Sequence, residues 1–329
     1  MRNLITDVAG VSVGHADDAR LASGVTAVMF DHPVVASMDL RGGGPGTRET
    51  DLLDPAQPME QIDAIVLSGG SAFGLDAASG VQAWLAEHGR GYPVRSARVP
   101  IVPGAILFDL LNGGDKAWGR FPPYRDLAYV AAGNAGAEFG LGSVGAGLGA
   151  TTANFKGGIG SASTRTPDGL TVGAIVAVNA VGSVVMGNGP YFWAAPFEIG
   201  HEFGGRGIPG KVSEEMLALH IKGSRSENTT LAVVVTDAAL TKPQTRRLAM
   251  MAQTGMARAV YPVHTPLDGD TVFAAATGRH VLNDHRLGLT VLGACAANVL
   301  ARAIARAVYE ATALPFPDAV PAWQDKFGR

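Results

Sequence analysis

The chain has almost no cysteine and little charge. Cys295 is the single cysteine among 329 residues, so no disulfide can form within the chain. It lies in an apolar run, which predicts a buried and unreactive thiol. Asp, Glu, Lys and Arg make up only 17% of the residues, and the net charge of -3 gives no reason to expect a nucleic acid or an anionic membrane as a partner.

Signals for export or membrane insertion are also lacking. The N-terminus shows no charged segment followed by an apolar core, and no apolar run looks long enough to span a bilayer. We therefore expect a soluble, cytoplasmic protein with no membrane partner. Hydrophobic residues make up 47% of the chain, which is enough for a large core. The scarcity of charge favours surface buried in a homo-oligomer, a tetramer or larger.

Strand and helix patterns occur in mixed blocks. The predicted strands cover residues 25–30, 34–38, 64–67, 170–178, 181–186, 231–235 and 270–276, with a turn at 31–33. The predicted helices cover residues 72–88, 127–139, 213–220, 241–260 and 292–311. This mixture favours sheets layered between helices over a doubly wound parallel sheet.

A hydroxyl residue stands where a polar run meets a core strand. Residues 224–228 are polar, Thr229 and Thr230 follow, and residues 231–235 are apolar and rich in valine. One hypothesis is that Thr229 attacks the carbonyl of Asn228 and becomes a new N-terminus, whose α-amine, with a pKa of about 7.7–8, serves as its base. The alternative is an ordinary strand entry whose polar side chains bond to local backbone.

Two carboxylates follow in the segment PLDGDT. Asp268 and Asp270 are two positions apart near a strand start, so they can share a face and hold the threonine hydroxyl or its amine. The alternative is a solvated turn. His280 and His285 are five residues apart and do not share a helical face, so we expect no metal and no other cofactor.

Ser71 lies between a predicted strand and a predicted helix, in a sharp turn. The G-x-S-x-G nucleophile pattern fails because Phe73 occupies its last glycine position. Ser71 is therefore expected to cap the helix, with nearby amides directed at an active site. On their own, Lys156 is typical of a surface lysine and Asn179 of a turn.

Several blocks, in order along nearly the whole chain, resemble the self-cleaving P1 (S58) peptidases. They are DLRGGGPGTRETDLL, AIVLSGGSAFGLDAASGVQAWL, VGAGLGATTANFKGG, SENTTLAVVVTD and HTPLDGDTVFA. This family includes L-aminopeptidase/D-esterases, β-peptidyl aminopeptidases and nylon-oligomer endo-amidases. The resemblance implies an αββα four-layer sandwich. It also implies one catalytic domain, residues 1–329, cut between Asn228 and Thr229 into segments 1–228 and 229–329.

The resemblance also assigns roles to site residues. It implies that Asp268 and Asp270 are partners of the nucleophile, that Lys156 lines the site, and that Asn179 donates to the oxyanion. Phe108, in GAILFDL, departs from the tyrosine of the aminopeptidase branch and cannot donate a hydrogen bond. Phe108 and Ser71 are expected to contact substrate. The Asp-Gly-Asp run looks more like the nylon-oligomer amidases.

The expected function is an autoproteolytic amide hydrolase that forms an acyl-enzyme on Thr229. Its expected substrates are small peptides or amides, from which it releases small N-terminal residues or cleaves β- or ω-amino amides. The alternatives are an endo-acting oligoamide hydrolase, acyl transfer as in the similar ornithine acetyltransferases, and an uncleaved scaffold or small-molecule binder.

Overall fold

The computed structural model describes residues 1–223 and 228–328, so four residues of the predicted polar run, 224–227, lie outside it. The strands are β1 (Val11–Asp18), β2 (Ser23–Leu40), β3 (Thr47–Arg48), β4 (Gln61–Ser68), β5 (Tyr92–Val94), β6 (Ala97–Val99), β7 (Gly104–Ile106), β8 (Gly158–Arg165), β9 (Thr171–Asn179), β10 (Thr229–Ala239) and β11 (Thr271–Val281). The helices are α1 (Ala77–Glu87), α2 (Tyr124–Gly133), α3 (Lys242–Ala257), α4 (Leu287–Tyr309) and α5 (Trp323–Phe327).

Strand β2 connects two halves of one large sheet. The strand order is β3-β7-β4-β2-β11-β10-β9-β8, and β1 also pairs with β2. The first half of β2 pairs with β1 and β4, and its second half pairs with β11. Within the second half, β10 lies parallel to β11 and antiparallel to β9.

Three hydrophobic cores separate four layers. Strand β10 shows how alternation divides its residues: Leu231, Val233 and Val235 enter a core between the two sheet halves, while Ala232 and Val234 pack toward α3 and α4. A third core lies between the first half of the sheet and helices α1 and α2. The predicted αββα sandwich is therefore confirmed.

The predicted turn at 31–33 is wrong. The chain continues as one 18-residue strand, β2, and its pairing with β4 shifts register between Met29 and Val34. The polar residues of the supposed turn form an exposed irregularity within the strand, as β-bulges do. Pro33 is compatible with such a site because a bulge relieves the need for its missing N–H.

Other boundaries also differ from the sequence predictions. Residues 181–186 form no strand; Ser183 and Val185 make isolated bridges to Tyr261 and Phe192 instead. The predicted helix at 213–220 is reduced to a 3-10 turn, Glu215–Leu217, and helix α2 begins and ends earlier than predicted.

The start of helix α3 is as predicted. Thr241 is its N-cap and accepts a hydrogen bond from the backbone N–H of Gln244, while the Gln244 side chain accepts one from the backbone of Thr241. Ser71, by contrast, does not cap a helix. It is the first residue of a 3-10 segment, Ser71–Asp76, and α1 begins only at Ala77.

Helix α4 contradicts one sequence expectation. By length and composition it is long and apolar enough to cross a membrane, although we expected no such run. It packs against the sheet as a core helix, and its Arg302 forms a buried ion pair with Glu202. Cys295, also on α4, is partly rather than fully buried, and that burial raises the pKa of its thiol.

Candidate active site

Thr229 is the first residue of a buried strand and lies opposite Asn179, the last residue of β9. Only 3% of Thr229 is exposed, and Asn228 is fully buried. Asn228 also bridges Asp268 in the segment that leads into β11. The strand pairing and this bridge thus bring the Asn228–Thr229 peptide together with Asn179 and Asp268, which are distant from it in the sequence.

The carbonyl oxygen of Asn228 accepts two hydrogen bonds. One comes from the backbone N–H of Gly269 at 2.7 Å, and the other from the hydroxyl of Thr229 at 2.6 Å. Two donors on one carbonyl oxygen polarise it, and the backbone donor is rigid. The Asn228–Thr229 peptide therefore carries an activated carbonyl next to a hydroxyl.

Gly269 fits closely against this peptide. A Cβ atom at Gly269 would lie 2.6 Å from Thr229 Oγ1 and 2.9 Å from the carbonyl oxygen of Gly44. Any side chain would force the backbone away, because such separations are well inside van der Waals contact. The glycine between the two aspartates thus allows its own N–H to reach Asn228.

Asp268 and Asp270 are both buried, and Asp270 holds the backbone just after Thr229. Asp270 accepts from the backbone N–H of Thr230 at 2.9 Å and from His264 Nδ1 at 2.9 Å. Asp268 accepts from the backbone N–H and the hydroxyl of Thr265, both at 2.9 Å. Burial, and then the charge of Asp270, raise the pKa of Asp268.

Asn179 is fixed by three hydrogen bonds. Its Oδ1 accepts from the backbone N–H of Thr151 at 3.0 Å and from Lys222 Nζ at 2.8 Å. Its Nδ2 donates to the backbone oxygen of Phe108 at 3.0 Å. The amide orientation is thereby set, with its donor directed at the segment that carries Phe108.

Lys156 is a buried lysine next to this group, not a surface lysine. Its Nζ donates to the carbonyl oxygens of Gly147, Ala150 and Gly157 at 2.7–3.0 Å. Burial, and then the charge of Lys222, lower the pKa of Lys156 to about 7. By bonding to these three carbonyl oxygens, the Lys156 side chain holds the loop before β8 in place.

A cavity of about 320 Å³ opens beside Asn179. Its polar lining includes Lys156, Lys222, Asp109 and Thr151. Its apolar lining includes Phe108, Leu111, Leu314, Pro317 and Val320. A cavity of this size suits a small amide.

Ser71 lies elsewhere. It lines a separate, open cavity of about 800 Å³ with Gly44, Pro266 and Leu267. Its own N–H donates to the carbonyl oxygen of Leu107 at 2.9 Å. That amide is therefore engaged within the fold rather than presented to a ligand, although the cavity adjoins the loop that precedes Asp268.

Sequence reasoning missed three residues of the site. Lys222 lies in a loop with no pattern around it, and only packing reveals its position. Gly269 could have been suspected because it separates the two aspartates. His264 lies six residues before Asp270 in the segment HTPLDGD, and this nearness in the sequence is the only indication that it contacts Asp270.

No group of three His, Cys, Asp or Glu side chains within residues 1–223 and 228–328 could hold a metal ion. His280 lies 3.9 Å from Asp237, and His285 bonds to Gln244. A buried hydroxyl, a polarised carbonyl and fixed amides instead provide a nucleophile, an electrophile and hydrogen-bond donors, which acyl transfer needs.

Comparison with known proteins agrees with this chemistry. Residues 3–320 match the sequence model of Peptidase family S58. The chain belongs to peptidase family S58. It is 43% identical to the "Uncharacterized aminopeptidase Rv1333" of Mycobacterium tuberculosis (strain ATCC 25618 / H37Rv), over 99% of this chain and 98% of that protein. This S58 chain is thus a hydrolase of peptide or amide bonds.

Two further comparisons bear on the family and the fold. A "6-aminohexanoate-oligomer endohydrolase" of Kocuria sp. (strain KY2) is 28% identical over 92% of this chain and 84% of that protein. The solved structure of a "Burkholderia sp. beta-aminopeptidase" covers 100% of this S58 chain and 92% of its own, with a TM-score of 0.72 at 22% identity. This structural likeness supports the layered fold.

Proposed function

We propose that the protein is an amide hydrolase that cuts itself between Asn228 and Thr229 and then uses Thr229 as its nucleophile. The observation that carries this proposal is the Asn228 carbonyl oxygen, which accepts from both Gly269 N–H and the Thr229 hydroxyl. The same peptide is held on both sides: the backbone of Asn228 bridges that of Asp268, and the buried carboxylate of Asp270 accepts from the backbone N–H of Thr230.

Self-cleavage proceeds as an acyl shift followed by hydrolysis. Thr229 Oγ1 bonds to the carbonyl carbon of Asn228, the C–N bond breaks, and the hydroxyl proton passes to the departing nitrogen. Gly269 N–H stabilises the intermediate oxyanion. Water then cleaves the ester, which leaves Asn228 as a carboxylate and Thr229 with a free α-amine.

Turnover uses that amine as the base for the Thr229 hydroxyl. The hydroxyl attacks a substrate carbonyl, the substrate's amine leaves, and water hydrolyses the acyl-enzyme. In this proposal Asn179 Nδ2, which donates to the backbone oxygen of Phe108 in the uncut chain, turns to donate to the developing oxyanion. The mature form is one catalytic domain made of segments 1–228 and 229–329, and we propose that it is a cytoplasmic homo-oligomer.

The preferred substrates are small N-terminal residues and β- or ω-amino amides. The cavity of about 320 Å³ and its mixed lining support this class. A second candidate is internal cleavage of oligoamides, favoured by the Asp-Gly-Asp sequence of residues 268–270 and by relatives named 6-aminohexanoate-oligomer endohydrolase. A panel of free-amine and N-blocked oligoamides separates the two, because an exo-acting enzyme requires the free amine.

Denaturing electrophoresis with N-terminal sequencing tests the proposal. We expect a smaller fragment that begins at Thr229, and Thr229→Ala should abolish both cleavage and hydrolysis while the fold persists. Full activity in Thr229→Ala, or an intact chain in the active protein, would exclude this nucleophile. Faster turnover with an added acceptor amine and formation of the new amide would instead indicate a transferase.

A further inference from the structure

The side chain of Lys222 turns into the site from an exposed segment. Its neighbours Ile221 and Gly223 are exposed, while its backbone N–H donates to Val181 O at 2.9 Å. Its Nζ donates to Asn179 Oδ1 at 2.8 Å and to the carbonyl oxygen of Thr151 at 3.2 Å. The Lys222 ammonium therefore occupies a defined position at the wall of the 320 Å³ cavity.

This position has the features of an ammonium site. Its acceptors are oxygens, and the carboxylates of Asp109 and Asp268 favour a cation there. Burial works in the opposite direction and lowers the pKa of Lys222 to about 7. A cation at this place is thus held by directional bonds and by two acids rather than by open solvent.

The site also lies at the right distance from the nucleophile. Asn179 is directly opposite Thr229 in the β9–β10 pair, and such residues have Cβ atoms about 4.5–5.5 Å apart. An acyl group on Thr229 Oγ1 that carries an amine a few bonds away can therefore place it at Asn179 Oδ1. The apolar walls at Leu111, Leu314 and Val320 suit the aliphatic part of such a group.

We propose that the Lys222 ammonium stands where the free amino group of a substrate binds, so that the uncut chain carries its own competitor. The ligand class is a primary ammonium on a short aliphatic acyl chain. The inference rests on the proposed function, which supplies the cut. Lys222 lies six residues before Asn228, so the cut releases one end of its tether and lowers its effective concentration at the site.

Calorimetry on the uncut chain tests the inference without any turnover. In a Thr229→Ala background, we expect Lys222→Met to tighten the binding of β-alaninamide by about tenfold or more, as removal of a tethered competitor should. N-acetyl-β-alaninamide, which has no cation, should gain little. Lys211→Met removes an exposed lysine of the same segment and should leave both affinities unchanged.

Equal or weaker β-alaninamide binding in folded Lys222→Met would overturn the proposal, and so would an equal gain for the acetylated probe. Lys222→Gln is the second variant, should the methionine variant misfold. In the cleaved enzyme, where the cut has released one end of the tether, Lys222→Met should lower KM for free-amine amides by less than it tightens binding to the uncut chain. An equal or larger change in KM would contradict the release of Lys222 by the cut. A wild-type chain that never cleaves would defeat the proposed function, yet the calorimetric result would stand on its own.

Discussion

Gly269 donates its backbone N–H to the carbonyl oxygen of Asn228 at 2.7 Å, across the bridge that joins the segments before β10 and β11. Through this bond, a glycine in the segment before β11 contacts the peptide bond to be cut in the segment before β10. It exists because β10 and β11 run parallel, so that the segments leading into both strands lie at the same edge of the sheet.

Gly269→Ala should block self-cleavage. The new Cβ would meet Thr229 Oγ1 and Gly44 O, so the backbone must shift and the N–H must leave Asn228. Loss of one such donor costs about 100-fold or more in rate, and a time course of fragment appearance on denaturing gels measures it. Gly210→Ala is the control because a Cβ there meets nothing within 4 Å. Cleavage of Gly269→Ala at the wild-type rate would contradict the role given to this amide.

Asn179→Ala should separate turnover from self-cleavage. The carbonyl of Asn228 has its own donor in Gly269, so the cut should persist, whereas hydrolysis of a small amide should fall by about 100-fold because the substrate oxyanion loses its donor. The measurements are fragment formation and kcat on the same preparation. If both processes stop together while the protein stays folded, Asn179 serves the cut as well.

Glu202→Gln should destabilise the fold far from the site. Arg302 Nε lies 2.5 Å from Glu202 Oε1, and both side chains are buried. Loss of the Glu202 charge therefore leaves the buried guanidinium of Arg302 without its carboxylate partner. The expected cost is about 3–5 kcal/mol in the free energy of unfolding, measured by urea denaturation. Glu138→Gln breaks an exposed pair with Arg2 and should cost less than about 1 kcal/mol. Similar losses in both variants would refute this difference.

Much of the layered fold follows from local pattern, and much of the site does not. The valine-rich run after Thr229 predicts β10, and the helical pattern over residues 241–260 predicts α3, because both signals are local. The pairing of Thr229 with Asn179 depends on strand register, which the whole sheet determines.

The residues whose positions the local sequence does not predict share a physical cause: contacts distant in the sequence determine where they lie. Lysine is usually exposed, yet Lys156 is buried and Lys222 is half-buried, with loop carbonyls and Asn179 around their ammonium groups. The resemblance led to Lys156, but nothing in the sequence around Lys222 indicates such convergence. The predicted turn at 31–33 failed because a bulge uses the same polar residues as a turn.

Lys156 should make stability depend on pH in the alkaline range. Its folded-state pKa is about 7, whereas an unfolded lysine holds its proton to about pH 10.4. Between these values the unfolded chain binds more protons than the folded chain, so the free energy of unfolding rises with pH. For one group the slope is at most about 1.4 kcal/mol per pH unit.

Lys156→Met removes that contribution, so wild-type stability minus variant stability should grow as the pH rises from about 7.5 to about 9.5. Urea denaturation at each pH measures the difference, and Lys211→Met, at an exposed position, should show no such growth. The three carbonyl bonds of Lys156 act in the other direction, since they favour its charged form. A difference that stays flat or shrinks would mean that those carbonyls outweigh burial and keep the ammonium charged.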